Sequence, residues 1–154
     1  MSGPEVLSAK IQGVIFGDRV KIVEPCNLYG CALGDDVFVG PFVEIQAGVR
    51  VGNRTRVQSH SFVCEGVTIG EDCFVGHGVM FINDKFKNNG PARGDKNLWG
   101  ITSIGNRVSI GSNATLLPVN VCEDVVIGAG AVVTKDIWEP GVYLGNPAKK
   151  LQDD

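Results

Sequence analysis

The chain has few aromatic side chains and very few histidines. Aromatic residues make up 7% of its 154 residues, although 44% are hydrophobic, and it has only two histidines. Its apolar part therefore consists mainly of Val, Ile and Ala, which suits stacked strands better than a globular aromatic core. Two histidines per chain are also too few for a site that takes three imidazole ligands from one subunit.

The chain also lacks an excess of positive charge, a long apolar run and a paired cysteine motif. Its net charge is −3 with both signs interspersed, so neither nucleic acid nor an anionic membrane is an expected partner. It has no signal pattern and no apolar stretch of about 18 residues. Its five cysteines form no Cys-x-x-Cys pair, and Cys26 and Cys73 resemble small buried side chains. We therefore expect a cytoplasmic protein.

What the chain does have is a hydrophobic period of six. A period of six is neither that of a helix nor that of an isolated strand, and it indicates a short strand followed by a corner. Repeated, this pattern predicts an all-β fold, a parallel β-helix of hexapeptide repeats. The 21 glycines fit many tight corners. The large apolar column is Leu33, Val39, Ile45, Val51, Val57, Val63, Ile69, Val75 and Phe81, and a smaller column is Val43, Val49, Thr55, Ser61, Val67, Cys73 and Val79.

The repeat sets the predicted organisation of the chain. Extended in both directions it predicts a lead-in at 1–15, a β-helix of about six coils at 16–139 and an irregular tail at 140–154. The six-residue period is interrupted once, at 83–103, which predicts one long extruded loop. A loop of about twenty residues in a compact fold is usually functional or disordered, and Phe86, Leu98 and Trp99 favour an ordered loop.

Two sequence motifs near the C-terminus resemble those of a known family. With the hexapeptide rows, VVIGAGAVVTKDI (Val125–Ile137) and GNPAKKL (Gly145–Leu151) resemble the left-handed β-helix acyltransferases. This resemblance implies a left-handed coil, acetyl-CoA as co-substrate, no metal, and a homotrimer with sites between subunits. VMFINDKF (Val79–Phe86) and IGNRVSIGSNATLLP (Ile104–Pro118) are most similar to N-acetyltransferases of nucleotide-linked 3-amino sugars, which serve bacterial surface polysaccharide (lipopolysaccharide, S-layer or capsule) synthesis.

One departure bears on the reaction. The galactoside and maltose acetyltransferases have Ile-Gly-Ser-His with a histidine general base, whereas this chain has IGSN with Asn113. An amide does not accept a proton at neutral pH. The hydroxyl-acetylating branch is therefore disfavoured, and the amino-sugar branch also has asparagine there.

The candidate catalytic residues are His60, His77, Asn83 and Asp84. His60 and His77 follow Val57 and Val75, which are one coil apart, so the two imidazoles are expected on one face in adjacent coils. The family resemblance places Asn83 at the sugar's amino group and offers Asp84 or a histidine as proton acceptor. The alternatives are that the histidines line a subunit interface and that Asn83–Asp84 only begins the loop.

The remaining candidates concern binding. Arg93 and Lys96 could bind a sugar-nucleotide diphosphate, and Phe86 or Trp99 could stack on a base or sugar, or simply dock the loop. The resemblance implies that coenzyme A contacts backbone groups and lysines of the last coils. These residues are Gly111, Ala129, Gly130, Lys135, Pro147 and Lys149.

The expected function is an acetyl-CoA-dependent N-acetyltransferase. Three alternatives stay open on the same fold: an O-acetyltransferase of a sugar or small hydroxyl compound, a non-catalytic scaffold, and a γ-type carbonic anhydrase. The last needs three histidine ligands per zinc, and two histidines per chain supply one too few.

Overall fold

The computed structural model describes residues 4–152, nearly all of them in short strands and corners. The first strands are β1 (Ile11–Gln12), β2 (Ile15–Phe16), β3 (Lys21–Ile22), β4 (Asn27–Tyr29), β5 (Ala32–Leu33), β6 (Phe38–Val39), β7 (Glu44–Ile45), β8 (Arg50–Val51), β9 (Arg56–Val57), β10 (Phe62–Val63), β11 (Val67–Ile69), β12 (Phe74–Val75) and β13 (Met80–Phe81). A single-turn 3₁₀ helix (Lys96–Leu98) follows, and then β14 (Thr102–Ile104), β15 (Ser109–Ile110), β16 (Thr115–Leu116), β17 (Asn120–Val121), β18 (Val125–Ile127), β19 (Val132–Val133), β20 (Gly141–Leu144) and β21 (Lys149–Lys150).

The strands form three sheets, because every third strand pairs in parallel with the strand one coil away. Sheet A has the order β1-β4-β7-β10-β13-β16-β19, sheet B β17-β14-β11-β8-β5-β2, and sheet C β21-β20-β18-β15-β12-β9-β6-β3. Among the named strands of residues 4–152, β20 and β21 alone pair antiparallel. The chain therefore winds A to B to C and back to A, and the predicted hexapeptide-repeat β-helix is confirmed.

The three edges of this prism differ in chemistry, although each has left-handed backbone at its corners. The A–B edge has glycines at these positions: Gly13, Gly30, Gly48 and Gly66. The B–C edge alternates in charge: Arg19, Asp36, Arg54, Asp72, Arg107 and Asp124. The C–A edge has Phe42, His60, Gly78, Asn113 and Gly130.

The interior is built from the two predicted columns. All nine members of the large apolar column, from Leu33 to Phe81, are at most 3% exposed. The polar members of the small column are buried but hydrogen-bonded, since Thr55 Oγ1 donates to Gly70 O at 2.8 Å and Ser61 Oγ to Gly76 O at 2.7 Å. These two buried hydroxyl groups therefore link adjacent coils by hydrogen bonds, and neither is left without a partner.

The coils extend beyond the predicted boundaries at both ends. Strand β1 already pairs with β4, so regular structure begins at Ile11 rather than at residue 16. At the other end β20 pairs in parallel with β18, so the tail predicted as irregular adds a strand to sheet C. About seven coils result instead of about six. The predicted lead-in and tail include residues 1–3 and 153–154, which lie outside the described part of the chain.

All five cysteines are free, and Cys26 and Cys73 are buried as expected. Burial raises the pKa of the Cys64 thiol to about 11.

On the B–C edge Arg54 contacts Asp72 at 2.7 Å and Glu71 at 2.8 Å. The same pairing recurs at Arg19–Asp36 and Arg107–Asp124, so opposite charges join successive coils along this edge.

Candidate active site

The long loop leaves the prism at the A–B edge, where the other coils have short corners. It runs from the end of β13 to β14, and its base is closed by a 2.7 Å hydrogen bond from Gly100 N to Asn83 O. Asp84 and Trp99 form an isolated antiparallel bridge next to it. The loop is therefore anchored at both ends beside Asn83.

The side chain of Asn83 is half-buried and oriented by the coil below. Its Nδ2 donates to the main-chain oxygen of Glu65 at 3.0 Å. Because the NH2 group is used in this way, the amide oxygen Oδ1 is left as an acceptor, and no donor among residues 4–152 bonds to it. A substrate N–H group is a suitable donor for it.

Asp84 is occupied with the loop itself. Its Oδ1 accepts from Phe86 N at 2.9 Å and its Oδ2 accepts from Ala92 N at 2.7 Å. Each oxygen thus holds one backbone amide of the loop. This geometry supports the loop-initiating role that the sequence left open as an alternative.

Lys96 contacts the body of the prism rather than pointing away from it. Its Nζ bonds to both carboxylate oxygens of Glu65, at 2.7 and 2.9 Å, and lies 5.7 Å from the centroid of the Trp99 ring. Trp99 is half-buried, as expected for a docking residue. Arg93 is exposed in the loop with left-handed backbone, φ +52°.

Phe86 borders an open, largely apolar pocket of about 290 Å³ beside Asn83. The ring is 61% exposed and therefore does not dock the loop, unlike Trp99. The other lining residues are Ile82, Asp84, Lys85 and Leu117. An exposed aromatic ring at the rim of an apolar pocket offers a stacking surface for a planar ligand group.

The two histidines lie at the other edge of sheet A. His60 and His77 are both exposed on the C–A edge in adjacent coils, as expected. The backbone links these coils, since Gly78 N donates to Ser59 O at 3.0 Å and Asn113 N donates to His77 O at 2.8 Å. The His60 ring stands 4.9 Å from that of Phe42, with a tilt of 32°.

Most of the residues expected to bind coenzyme A share this C–A edge. Gly111 and Ala129 are stacked in the last coils, and Gly130 N donates to Ser112 O at 2.9 Å. The tail reaches the same corner, because Val132 N bonds to Gly145 O and Ala148 N to Val132 O, which brings Pro147 there too. Lys149 lies in β21 at the border of sheet C. Lys135 is separate: it precedes Ile137, which bridges to sheet B, and so lies at the A–B edge.

The candidate residues thus form two groups at opposite edges of sheet A. His77 and Asn83 are six residues apart along one coil, and the strand β13 lies between them. Within one chain the histidines therefore lie at the C–A edge of sheet A and Asn83 at its A–B edge.

Three residues near Asn83 were not singled out from the sequence: Glu65, Lys85 and Leu117. Glu65 precedes Asn83 by 18 residues, which is one coil. The six-residue period therefore predicts that Glu65 and Asn83 stack in adjacent coils. Leu117 follows Leu116, which pairs with Phe81, so the register places it too. Lys85 depends on the course of a non-repeating loop, for which the register gives no guide. Among the described residues no group of histidines, cysteines and carboxylates is placed to hold a metal ion, and no helix is long and apolar enough to cross a membrane.

Comparison with known proteins agrees with the repeat. Residues 30–64 match the bacterial transferase hexapeptide (six repeats), and residues 101–135 match the hexapeptide repeat of succinyl-transferase. The chain is 32% identical over 143 residues to the bifunctional protein GlmU of Paramagnetospirillum magneticum, covering 81% of this chain and 29% of that protein. It spans about a third or less of the curated relatives it matches.

Solved structures show the same fold. The AntD N-acyltransferase of Bacillus cereus, a variant in complex with dTDP and coenzyme A, superposes with a TM-score of 0.78 at 19% identity, over 91% of this chain and 83% of AntD. A variant of the perosamine N-acetyltransferase of Caulobacter crescentus, in complex with coenzyme A and GDP-perosamine, gives 0.65 at 22% identity, over 94% of this chain and 58% of that one. This likeness confirms the hexapeptide-repeat β-helix fold.

Proposed function

We propose that this hexapeptide-repeat protein is an acetyl-CoA-dependent N-acetyltransferase of a nucleotide-linked 3-amino sugar, used in bacterial surface polysaccharide synthesis. The observation that carries the proposal is the orientation of Asn83 at the base of the loop, with Nδ2 held by Glu65 O and Oδ1 available to an amine. Two structural neighbours that are N-acyl or N-acetyltransferases, crystallised with coenzyme A and a nucleotide ligand, support it.

The reaction needs an amine held with its lone pair free. Acetyl-CoA supplies a thioester carbonyl that accepts the amine nitrogen and releases coenzyme A as the thiol. If Oδ1 of Asn83 accepts one N–H of a neutral amine, the nitrogen lone pair points away from that bond and toward the carbonyl. The amine then loses one proton as the C–N bond forms and the C–S bond breaks.

His77 is the proposed proton acceptor, with His60 beside it. Both are exposed on the C–A edge, which also holds Gly111 and Gly130, two of the residues proposed to contact the pantetheine arm, so the acceptor and the thioester would approach from one side. Asp84 is assigned first to ordering the loop, because each of its oxygens already accepts a backbone N–H. The departing thiolate can take the proton if no histidine does.

A three-fold assembly would bring the two groups together. In a trimer of triangular prisms with sheet A facing the symmetry axis, the C–A edge of one chain meets the A–B edge of the next. Each interface then holds one chain's loop and Asn83 opposite another chain's histidines. The homotrimer with shared sites is therefore part of the proposal.

The outer face of sheet A suits such an axis better than that of sheet B does. Its middle and last coils present the stacked, uncharged side chains Phe62, Met80, Thr115 and Val132. The same coils of sheet B present Thr68, Ser103 and Asn120, all exposed and polar. Met80 is 42% exposed in the single chain, and a partner would remove that apolar surface from water.

The remaining residues receive binding roles. Phe86 and its pocket would hold the base or the sugar, and exposed Arg93 would contact the diphosphate. Lys149 and Pro147 would lie near the phosphates and adenine of coenzyme A, with Lys135 in a separate, less direct position. The free cysteines fit the cytoplasmic location that belongs to the same proposal.

The test is a thiol-release assay with acetyl-CoA against a panel of UDP- and dTDP-linked amino sugars, with the corresponding hydroxy sugars as controls. We expect turnover with a 3-amino sugar, and a product that survives mild base because it is an amide. A base-labile product would instead establish O-acetyl transfer. Failure of the chain to bind coenzyme A would contradict both the N-acetyltransferase and the O-acetyltransferase, and it would favour the non-catalytic scaffold.

A further inference from the structure

Glu65 contacts both the loop and Asn83. Its main-chain oxygen accepts Nδ2 of Asn83 at 3.0 Å, and its carboxylate binds Nζ of Lys96 at 2.7 and 2.9 Å. Its main-chain N–H in turn donates to Gln46 Oε1 at 3.1 Å. A single position in the rigid coil thus holds the reacting region and the loop above it.

We propose that Glu65 is a positioning residue: its ion pair with Lys96 keeps the loop closed, and the closed loop keeps the Asn83 amide in its reactive orientation. This inference rests on the proposed function for its kinetic part but not for its structural part. Lys96 lies 31 residues from Glu65 in sequence, so the pair joins the loop to the coil that holds Glu65.

The surroundings of the pair favour a defined geometry over a fluctuating surface contact. The Glu65 side chain is 29% exposed, against 41 to 57% for the carboxylates paired on the B–C edge. Lys96 also lies over the half-buried Trp99 ring, which adds a cation–π contact on its other side. The Lys96 side chain itself is 64% exposed, so the enclosure of this pair comes from the Glu65 side and from the Trp99 ring.

The link from the pair to Asn83 runs through the base of the loop. Trp99 N donates to Lys96 O at 3.2 Å, Trp99 bridges to Asp84, and Gly100 N donates to Asn83 O at 2.7 Å. If Lys96 separates from Glu65, these bonds lose their support from the coil. The orientation of the Asn83 amide then depends more heavily on its single side-chain bond to Glu65 O.

Hydrogen exchange measured by mass spectrometry tests the structural part on the full chain without ligands. We expect Glu65→Gln and Lys96→Met each to speed exchange of peptides covering 84–100 by about two- to fivefold, since exchange follows the local opening equilibrium. The charge-swapped double variant, Glu65→Lys with Lys96→Glu, should restore slow exchange. Asp36→Asn, which removes a carboxylate from the exposed Arg19 pair, is the matched control and should leave these peptides unchanged.

Kinetics test the positioning part. Glu65→Gln should raise KM for the amino sugar by a similar factor with a smaller change in kcat, and the swapped variant should recover it. Unchanged loop exchange in Glu65→Gln, or fast exchange in the swapped variant, would overturn the proposal. Absence of thiol release in the wild-type chain would refute the proposed function instead, and the exchange result would stand by itself.

Discussion

The side-chain amide of Asn83 donates to the main-chain oxygen of Glu65, one coil below it. Because Nδ2 donates to Glu65 O, the amide oxygen Oδ1 faces outward and is left as an acceptor for a ligand. This bond also explains why an asparagine, rather than an aspartate, suits this position: a carboxylate has no N–H to give to Glu65 O. The first prediction follows from this relationship.

Asn83→Ala should lower turnover in the thiol-release assay by about 100-fold, because loss of orientation at the reacting atom commonly has this size. The fold should persist, since Asn83 is only half-buried and outside the core. Asn88→Ala, which removes an exposed asparagine of the same loop, is the control and should retain activity. Wild-type turnover in Asn83→Ala would remove Asn83 from the site and leave the fold untouched.

The fold was predictable from the sequence because the six-residue period of buried side chains is a direct consequence of stacking. Leu33 to Phe81 could be assigned to the interior without knowing any contact, and all are buried. The loop is different, since no period relates Phe86 or Lys96 to the coils. Lys96 therefore appeared as a phosphate candidate, whereas the structure pairs it with Glu65. The separation of His77 from Asn83 likewise follows from which edge each occupies, and only the sheet assignment revealed it.

The interior column should be intolerant of truncation. Ile69 is 2% exposed between β8 and β14, so Ile69→Ala should lower the free energy of unfolding by about 2–5 kcal/mol. Thr68→Ala, on the exposed face of the same strand, should change it by less than about 0.5 kcal/mol. Urea denaturation followed by circular dichroism measures both. Equal effects of the two variants would mean that burial does not set the stability of this strand.

The B–C edge should make stability depend on pH in the acid range. The hydrogen bond from Arg54 holds the pKa of the Asp72 carboxyl below its ordinary value of 3.8. Ionised Asp72 therefore adds stability above pH 3.8, and this contribution is lost as the pH falls through the lowered folded value.

Asp72→Asn tests this pH dependence, and asparagine tolerates the left-handed backbone at this corner. We expect the variant to be less stable than wild type near neutrality, with a difference that shrinks in acid. The measurement is the urea midpoint of both proteins at a series of pH values. A constant difference across that range would show that the charge of Asp72 is not what stabilises this edge.

A shared site makes a prediction about mixtures of inactive chains. His77→Ala and Asn83→Ala should each be nearly inactive alone, because each removes one side of every interface. If a site joins the loop of one chain to the C–A edge of the next, an equal mixture refolded together should recover about a quarter of wild-type activity, since one interface in four pairs an intact Asn83 with an intact His77. Mixing the folded variants without dissociation is the control and should recover none. A refolded mixture as inactive as its components would contradict the shared site, and a monomer by light scattering would exclude the shared arrangement altogether.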